Sequence, residues 1–295
     1  MTDKKTNSVI RNITENRNAL TPKERVLANF TTQNPRKAVF MTTKELSEAC
    51  GVSEATVVRF VAHLGYEGYA DFQQALRDFV ETGMTLRDRT DLPGVKGPGA
   101  GRFHRIVLDE MNNLKMLCET ADLTKLEYFV KALRENTAVY VVGSRLSYTL
   151  AYYLGWSLTK VRKGIRILEG SDSTAVDWLA NAPDQSLVVV IAVSRYPNEL
   201  IKLSKVARRL GHTLYVIADS KLCPLIPFAH FSLVVPSKSI PLIGNPSAIL
   251  CIANYLVLEL AGLENDKVDS HQGKLEQVYL ENDILFNLHD TVNEE

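Results

Sequence analysis

Met41-Thr-Thr-Lys-Glu-Leu-Ser-Glu-Ala-Cys-Gly-Val-Ser-Glu-Ala-Thr-Val-Val-Arg-Phe-Val-Ala-His-Leu-Gly65 is the stretch on which the reading of this chain turns. Thr42, followed three residues on by Glu45, is a capping box that opens a short helix ending at Cys50. Gly51 tolerates the left-handed backbone that turns a chain sharply. Ser53 then caps a second helix running to about Leu64. A short helix, a tight glycine turn and a second helix make a helix-turn-helix. On the second helix Val57, Phe60, Val61 and Leu64 share one side, the core face. At about 100° per residue, Ala55, Arg59 and Ala62 lie opposite, with Thr56 and His63 on a flank.

That outer side suits a major groove. Small residues at the helix start permit close approach, Arg59 can reach a guanine edge or a phosphate, and Thr56 a base edge or a phosphate. Free N–H groups near Thr43 and Ser53 suit phosphate contacts, and Lys44, Glu54, Ala55 and His63 complete the candidate DNA-binding set. The competing reading is a structural helical hairpin with a solvated Arg and Thr.

Outward from this motif, the chain stays helical in pattern back to Thr21-Pro22-Lys23-Glu24, a capping Thr followed by Pro at the first helical position and an acid in the first turn. Forward of it, Leu92-Pro-Gly-Val-Lys-Gly-Pro-Gly-Ala-Gly101 packs two prolines and four glycines into ten residues, so neither helix nor ladder persists there. The expected organisation is therefore an all-α domain over 1–90, a Gly/Pro-rich linker over 91–102, an α/β domain over 103–263 and an acidic helical tail over 264–295. The length of 295 residues agrees with about two domains.

After the linker, Phe103 to Glu119 and Leu126 to Leu133 read as amphipathic helices. Candidate strands follow at Ala138–Val142, Ile165–Leu168, Leu187–Val193, Thr213–Ala218 and Phe231–Val235, with helices near 147–162, 198–210 and 222–229. Short continuous apolar strands separated by helices predict a parallel sheet covered on both faces. Helix Ser247–Leu260 is apolar on nearly all sides, which predicts burial in the core or a subunit interface. The tail, with Leu275, Val278, Leu280, Ile284, Leu285 and Leu288, reads as a further amphipathic helix.

Charge and composition narrow the classes. The chain balances 34 basic against 34 acidic residues, yet residues 1–66 carry ten basic and six acidic side chains, and 263–295 two basic and nine acidic. A mildly basic head is compatible with a nucleic-acid partner. The start lacks a signal-peptide apolar run and no stretch reaches the roughly 20 apolar residues of a membrane helix, so a cytoplasmic protein without membrane contact is expected. Cys50, Cys118, Cys223 and Cys251 stand far apart and the six histidines are scattered, which predicts no metal and no disulfide framework. No P-loop, G-x-G-x-x-G or G-x-S-x-G occurs, and no cofactor is expected.

Lys44-Glu-Leu-Ser-Glu-Ala-Cys-Gly-Val-Ser-Glu-Ala-Thr-Val-Val-Arg-Phe60 and His63-Leu-Gly-Tyr-Glu-Gly-Tyr-Ala-Asp-Phe72 resemble the N-terminal domain of RpiR/MurR-type bacterial transcriptional regulators. The pattern there is E-L-A, G-V-S-x-x-T-V-x-R-F, then L-G-x-x-G-[FY]-x-x-F, and in that family the segment is a DNA-binding helix-turn-helix. The resemblance implies an operator in double-stranded DNA and a C-terminal SIS domain: a flavodoxin-like five-stranded parallel sheet that dimerises, or forms a tetramer, and binds a phosphosugar or other small anion.

In such a sheet the crevice lies beyond the carboxyl ends of the first and third strands. The corresponding loops are Gly143-Ser-Arg-Leu-Ser147 and Ser194-Arg-Tyr-Pro-Asn-Glu199. The family's first loop is typically G-x-G-x-S; Gly143 and Ser147 match, and Arg145 replaces the second glycine. The second is typically S-x-S-G-x-T-x-E; Ser194 and Glu199 match, and Arg195-Tyr196-Pro197 replaces the centre. The candidate ligand set is Gly143, Ser144, Arg145, Ser147, Ser194, Arg195, Tyr196 and Glu199, with Ser171, Ser173 and Asp219 at other strand ends. The two arginines either bind an anion through charge-assisted contacts or pair with acids in a vestigial pocket. The alternative function is a sugar-phosphate isomerase or binding enzyme with a structural helical head, for which Glu199 and His212 are acid/base candidates by type alone.

Overall fold

Val139–Gly143 (β1), Ile165–Glu169 (β2), Leu187–Ala192 (β3), Thr213–Ala218 (β4) and Phe231–Val234 (β5) form one sheet in the order β2-β1-β3-β4-β5. The structure, a computed structural model, describes residues 9–83, 102–193, 195–235 and 246–285. All four pairings are parallel: Val139 faces Ile165 and Leu187, Leu187 faces Thr213, and Tyr215 faces Phe231. β1 and β3 are buried at every position, which is why their sequences are unbroken apolar runs rather than alternating ones.

The helices are Val9–Asn16 (α1), Pro22–Gln33 (α2), Pro35–Ala38 (α3), Thr43–Cys50 (α4), Glu54–His63 (α5), Tyr69–Gly83 (α6), Arg102–Thr120 (α7), Leu123–Glu135 (α8), Leu146–Thr159 (α9), Ala175–Ala180 (α10), Asn198–Arg209 (α11), Ser247–Leu263 (α12) and Asn265–Glu281 (α13). They fall in two compact units divided at Gly97. The first is all-α: Leu27, Leu46, Val57, Phe60, Phe72 and Leu76 are among its fully buried side chains, with the rings of Phe60 and Phe72 edge to face at 5.7 Å. The second has three layers. Val139, Val141, Val189, Ile191 and Ile217 pack one sheet face against α8, α9 and α12. Tyr140, Val142, Val190, Leu214 and Val216 pack the other against α10 and α11.

The structure differs from the sequence pattern in three places. The 222–229 segment contains only a 3-10 turn at Ile226–Phe228, because Pro224 and Pro227 interrupt any longer helix. α10, between β2 and β3, has no counterpart in the sequence reading. α12 is not buried all round: Ile249, Ile252, Leu256 and Leu260 are in the core, but Leu258 is 70% exposed. Along the tail, Val268 is buried while Val278 and Leu280 face solvent; Leu288 lies outside the described residues. The Lys160 ammonium stands 4.7 Å above the Trp156 ring and 5.1 Å from Tyr279 of α13, and the Arg166 guanidinium 4.5 Å above Trp178. Among the described residues no single helix is long and apolar enough to cross a membrane.

Candidate nucleic-acid interface and effector crevice

In the all-α unit both capping devices form. The Thr42 hydroxyl accepts from the Glu45 N–H at 3.2 Å while the Glu45 carboxylate accepts from the Thr42 N–H at 2.7 Å. Gly51 takes φ 64°, ψ 35°, the left-handed turn between α4 and α5. The Ser53 hydroxyl accepts from the Thr56 N–H at 3.3 Å and starts α5.

α5 then divides cleanly. Val57, Phe60 and Val61 are buried, and Glu54, Ala55, Val58, Arg59 and Ala62 are exposed. Thr56 departs from expectation: it is 4% exposed and its hydroxyl lies 2.9 Å from that of Ser53, so it packs and caps rather than meeting a base. His63 is only in part a groove residue, because its Nδ1 lies 2.8 Å from Oε1 of the buried Glu24 on α2 and leaves only Nε2 facing out. The Thr43 hydroxyl donates to Glu54 at 3.1 Å, tying the starts of α4 and α5 together, and Lys44 is exposed beside them. The Arg59 Nε lies along its own helix, donating to the Ala55 carbonyl at 3.3 Å. Val58, 55% exposed, is the residue of this face that sequence reasoning missed.

The second site lies where the winding of the sheet reverses, between β1 and β3. Gly143 closes β1 so tightly on the next turn that a Cβ there would lie 2.3 Å from the Ser147 carbonyl. Arg145 follows at φ 55°, ψ −127° and Arg195 at φ 67°, backbone conformations strained for an L side chain. Both arginines are exposed; among the described residues neither guanidinium is held by a hydrogen bond or ion pair, while the Arg145 charge acts on the Glu199 carboxylate.

The remaining candidates hold the loops together. Ser144 and Ser147 are each 1% exposed, against the expectation that their hydroxyls meet a ligand. The Ser144 hydroxyl donates to Glu199 at 2.7 Å, and the Ser147 hydroxyl accepts from the Val193 N–H at 3.1 Å. Tyr196 donates to Asp219 at 2.8 Å, and Ser171 to Glu169 at 2.8 Å. Ser194 lies outside the described residues.

The Ser144 hydroxyl, then the Glu199 backbone N–H, hold the Glu199 carboxyl below the ordinary glutamate range, with the charges of Arg145 and Lys202 adding to this. An ionised, hydrogen-bonded Glu199 is a brace rather than a proton donor. His212 is 3% exposed and precedes β4, at the opposite end of the sheet, with Nε2 2.8 Å from the Leu179 carbonyl. A basic cleft at that opposite end includes Arg134, Arg162 and Lys267, but Arg162 donates to the carbonyls of Leu133, Asn136 and Thr137, and Arg134 and Lys267 each meet Glu264 at 3.1 Å. Among the described residues no three His, Cys, Asp or Glu side chains converge as metal ligands.

The family model described as a helix-turn-helix domain of the rpiR family matches residues 7–82, and that of the SIS domain matches residues 132–263. The chain belongs to the RpiR family. Its head makes it a DNA-binding transcriptional regulator. This RpiR-family protein is 22% identical over 268 residues, 88% of its own chain and 91% of the other, to the uncharacterized HTH-type transcriptional regulator YbbH of Bacillus subtilis. It shares its fold with the NanR protein of Vibrio vulnificus, solved in complex with ManNAc-6P (TM-score 0.55, 20% identity, 95% of this chain and 100% of that one). The sugar isomerase domain of an RpiR transcription factor from Sphaerobacter thermophilus has the same fold (TM-score 0.56, 23% identity, 60% of this chain and 99% of that one).

Proposed function

We propose that this RpiR-family regulator is a cytoplasmic two-fold dimer, or a tetramer built from such dimers, that reads an operator with α5 in the major groove. Its SIS domain senses a small anion of the phosphosugar class. Residues 1–90 are the reading head, 91–102 the linker, 103–263 the sensing and assembly domain, and 264–295 an appended acidic helix. Thr43, Lys44 and Ser53 would meet phosphates around the reading face of Ala55 and Arg59, with Glu54 and His63 at its edges. Arg145 and Arg195 would grip the anion, on loops held by Gly143, Ser144, Ser147, Tyr196 and Glu199.

The observation that supports the sensing role is the pair of exposed arginines on strained backbone beside the β1–β3 switch point. Strain of this kind persists where the surrounding structure over-determines it, and clusters at ligand sites. The likeness to NanR, whose structure holds ManNAc-6P, points the same way.

Genomic DNA fragments selected by the purified protein near physiological salt, where phosphate-only binding is weakened, should yield a short palindrome. A panel of phosphosugars should then change affinity for it. Arg59→Ala should lower operator affinity by about tenfold or more with no change in thermal midpoint. The Arg145→Ala/Arg195→Ala double variant should keep operator affinity and lose the phosphosugar response; a retained response places the anion elsewhere.

A further inference from the structure

The outer face of α5 presents one large apolar side chain among the described residues. Val58 is 55% exposed on that face, to one side of Ala55 and Ala62 in the helical rotation and level with Arg59 on the other. At about 100° and 1.5 Å per residue, Val58 and Arg59 lie on opposite sides of the Ala55–Ala62 line, at almost the same height along the axis. Valine is a poor choice for an exposed helix position, since its branched Cβ loses side-chain freedom there and gains nothing from solvent. We propose that Val58 is a specificity-determining residue of operator recognition, reading the 5-methyl group of a thymine adjacent to the base or phosphate engaged by Arg59.

This inference rests on the placement of α5 in the major groove given above. The chemistry follows from what each group can do. An isopropyl group neither donates nor accepts a hydrogen bond, so of the features base pairs display in the major groove only the thymine methyl rewards it. Its reach is short, and contact therefore requires the helix backbone to come close to the base edges. Ala55 and Ala62 above and below leave room for that approach. The χ1 angle of a helical valine is held in one rotamer, so the two methyl groups are presented without ordering cost on binding. Arg59, whose Nε donates to the Ala55 carbonyl, stands on the other side of the line with its two terminal nitrogens left for an acceptor. The pair thus forms a two-part probe: one part for a methyl group, one for an acceptor edge or a phosphate.

The test uses the full chain and the operator it selects from genomic fragments. Each thymine of the selected half-site is replaced in turn by deoxyuridine, which removes the 5-methyl group and no hydrogen-bonding atom. For the native protein, one replacement should weaken binding roughly fourfold, the value of about one buried methyl-sized group. The Val58→Ala variant, at an exposed position that Ala suits better in a helix, should fold normally and bind the thymine operator roughly fourfold less tightly. It should show no further loss at that one deoxyuridine. An operator with no thymine in the half-site, a native protein indifferent to every replacement, or a Val58→Ala variant that keeps the full penalty would each overturn the inference while leaving operator binding intact. If no sequence is selected at all, the placement of α5 in the groove fails and this inference falls with it.

Discussion

Arg145 shows what a single residue can hold in reserve. Its φ of 55° and ψ of −127° belong to a turn position that glycine fills without strain. Arg145→Gly is expected to stabilise the ligand-free protein by about 1 kcal/mol of relieved strain. Calorimetry with and without a phosphosugar checks this: the apo midpoint should rise while the ligand-induced rise shrinks. The residue types at this site were readable from the chain, because replacement of glycine by arginine stands out in the loop. Which hydroxyls remain available was not. Ser144 and Ser147 find their partners at Glu199 and Val193, some fifty positions away, and local sequence carries no trace of such pairings. Thr56 likewise lay on the boundary of two helix faces, and only the packing of α5 on its neighbours put it inside.

At the scale of elements, α5 is fixed to α2 by His63 and Glu24, whose atoms meet at 2.8 Å. Burial pushes the Glu24 carboxyl up, but hydrogen bonds from the Thr21 N–H and hydroxyl and from His63 outweigh it and hold Glu24 below its ordinary 4.5. A carboxyl lowered by folding contributes stability that is present above its unfolded value and is lost as pH falls through the folded one. The all-α unit should therefore weaken as pH falls below about 4.5, and Glu24→Gln should flatten that dependence in far-UV dichroism melts taken from about pH 6 to pH 3. His63→Ala, which takes a partner from a buried carboxylate, should cost about 1 kcal/mol at neutral pH. The strands and longer helices were legible because continuous β-branched runs and 3.6-residue periods survive in the chain. α10 was not, since six residues are too few to display a period.

Across the whole molecule, the uncovered apolar side chains of the α/β unit include Tyr152 and Trp156 on α9 and Leu258 on α12, two helices that pack together. In the dimer proposed above, a second copy of the chain would cover these side chains. Light scattering on a sizing column should give a dimer mass for the native chain and a monomer mass for Leu258→Glu; an unchanged dimer mass in the variant would move the proposed interface to another face. The two-unit organisation was readable from the proline- and glycine-rich stretch, because no regular element tolerates that composition. The exposure of Leu258 was not, because an apolar helix reads alike whether all of its sides are buried or one is left open.

Both tryptophans of the chain, Trp156 and Trp178, belong to the α/β unit, each about half-exposed beneath a cation. Their emission is therefore a one-sided optical reporter, silent about the reading head. Ellipticity, by contrast, sums the helices of both units. A gap between the two melting curves measures how independently head and sensor unfold, and operator DNA, by stabilising the head alone, should change the width of that gap.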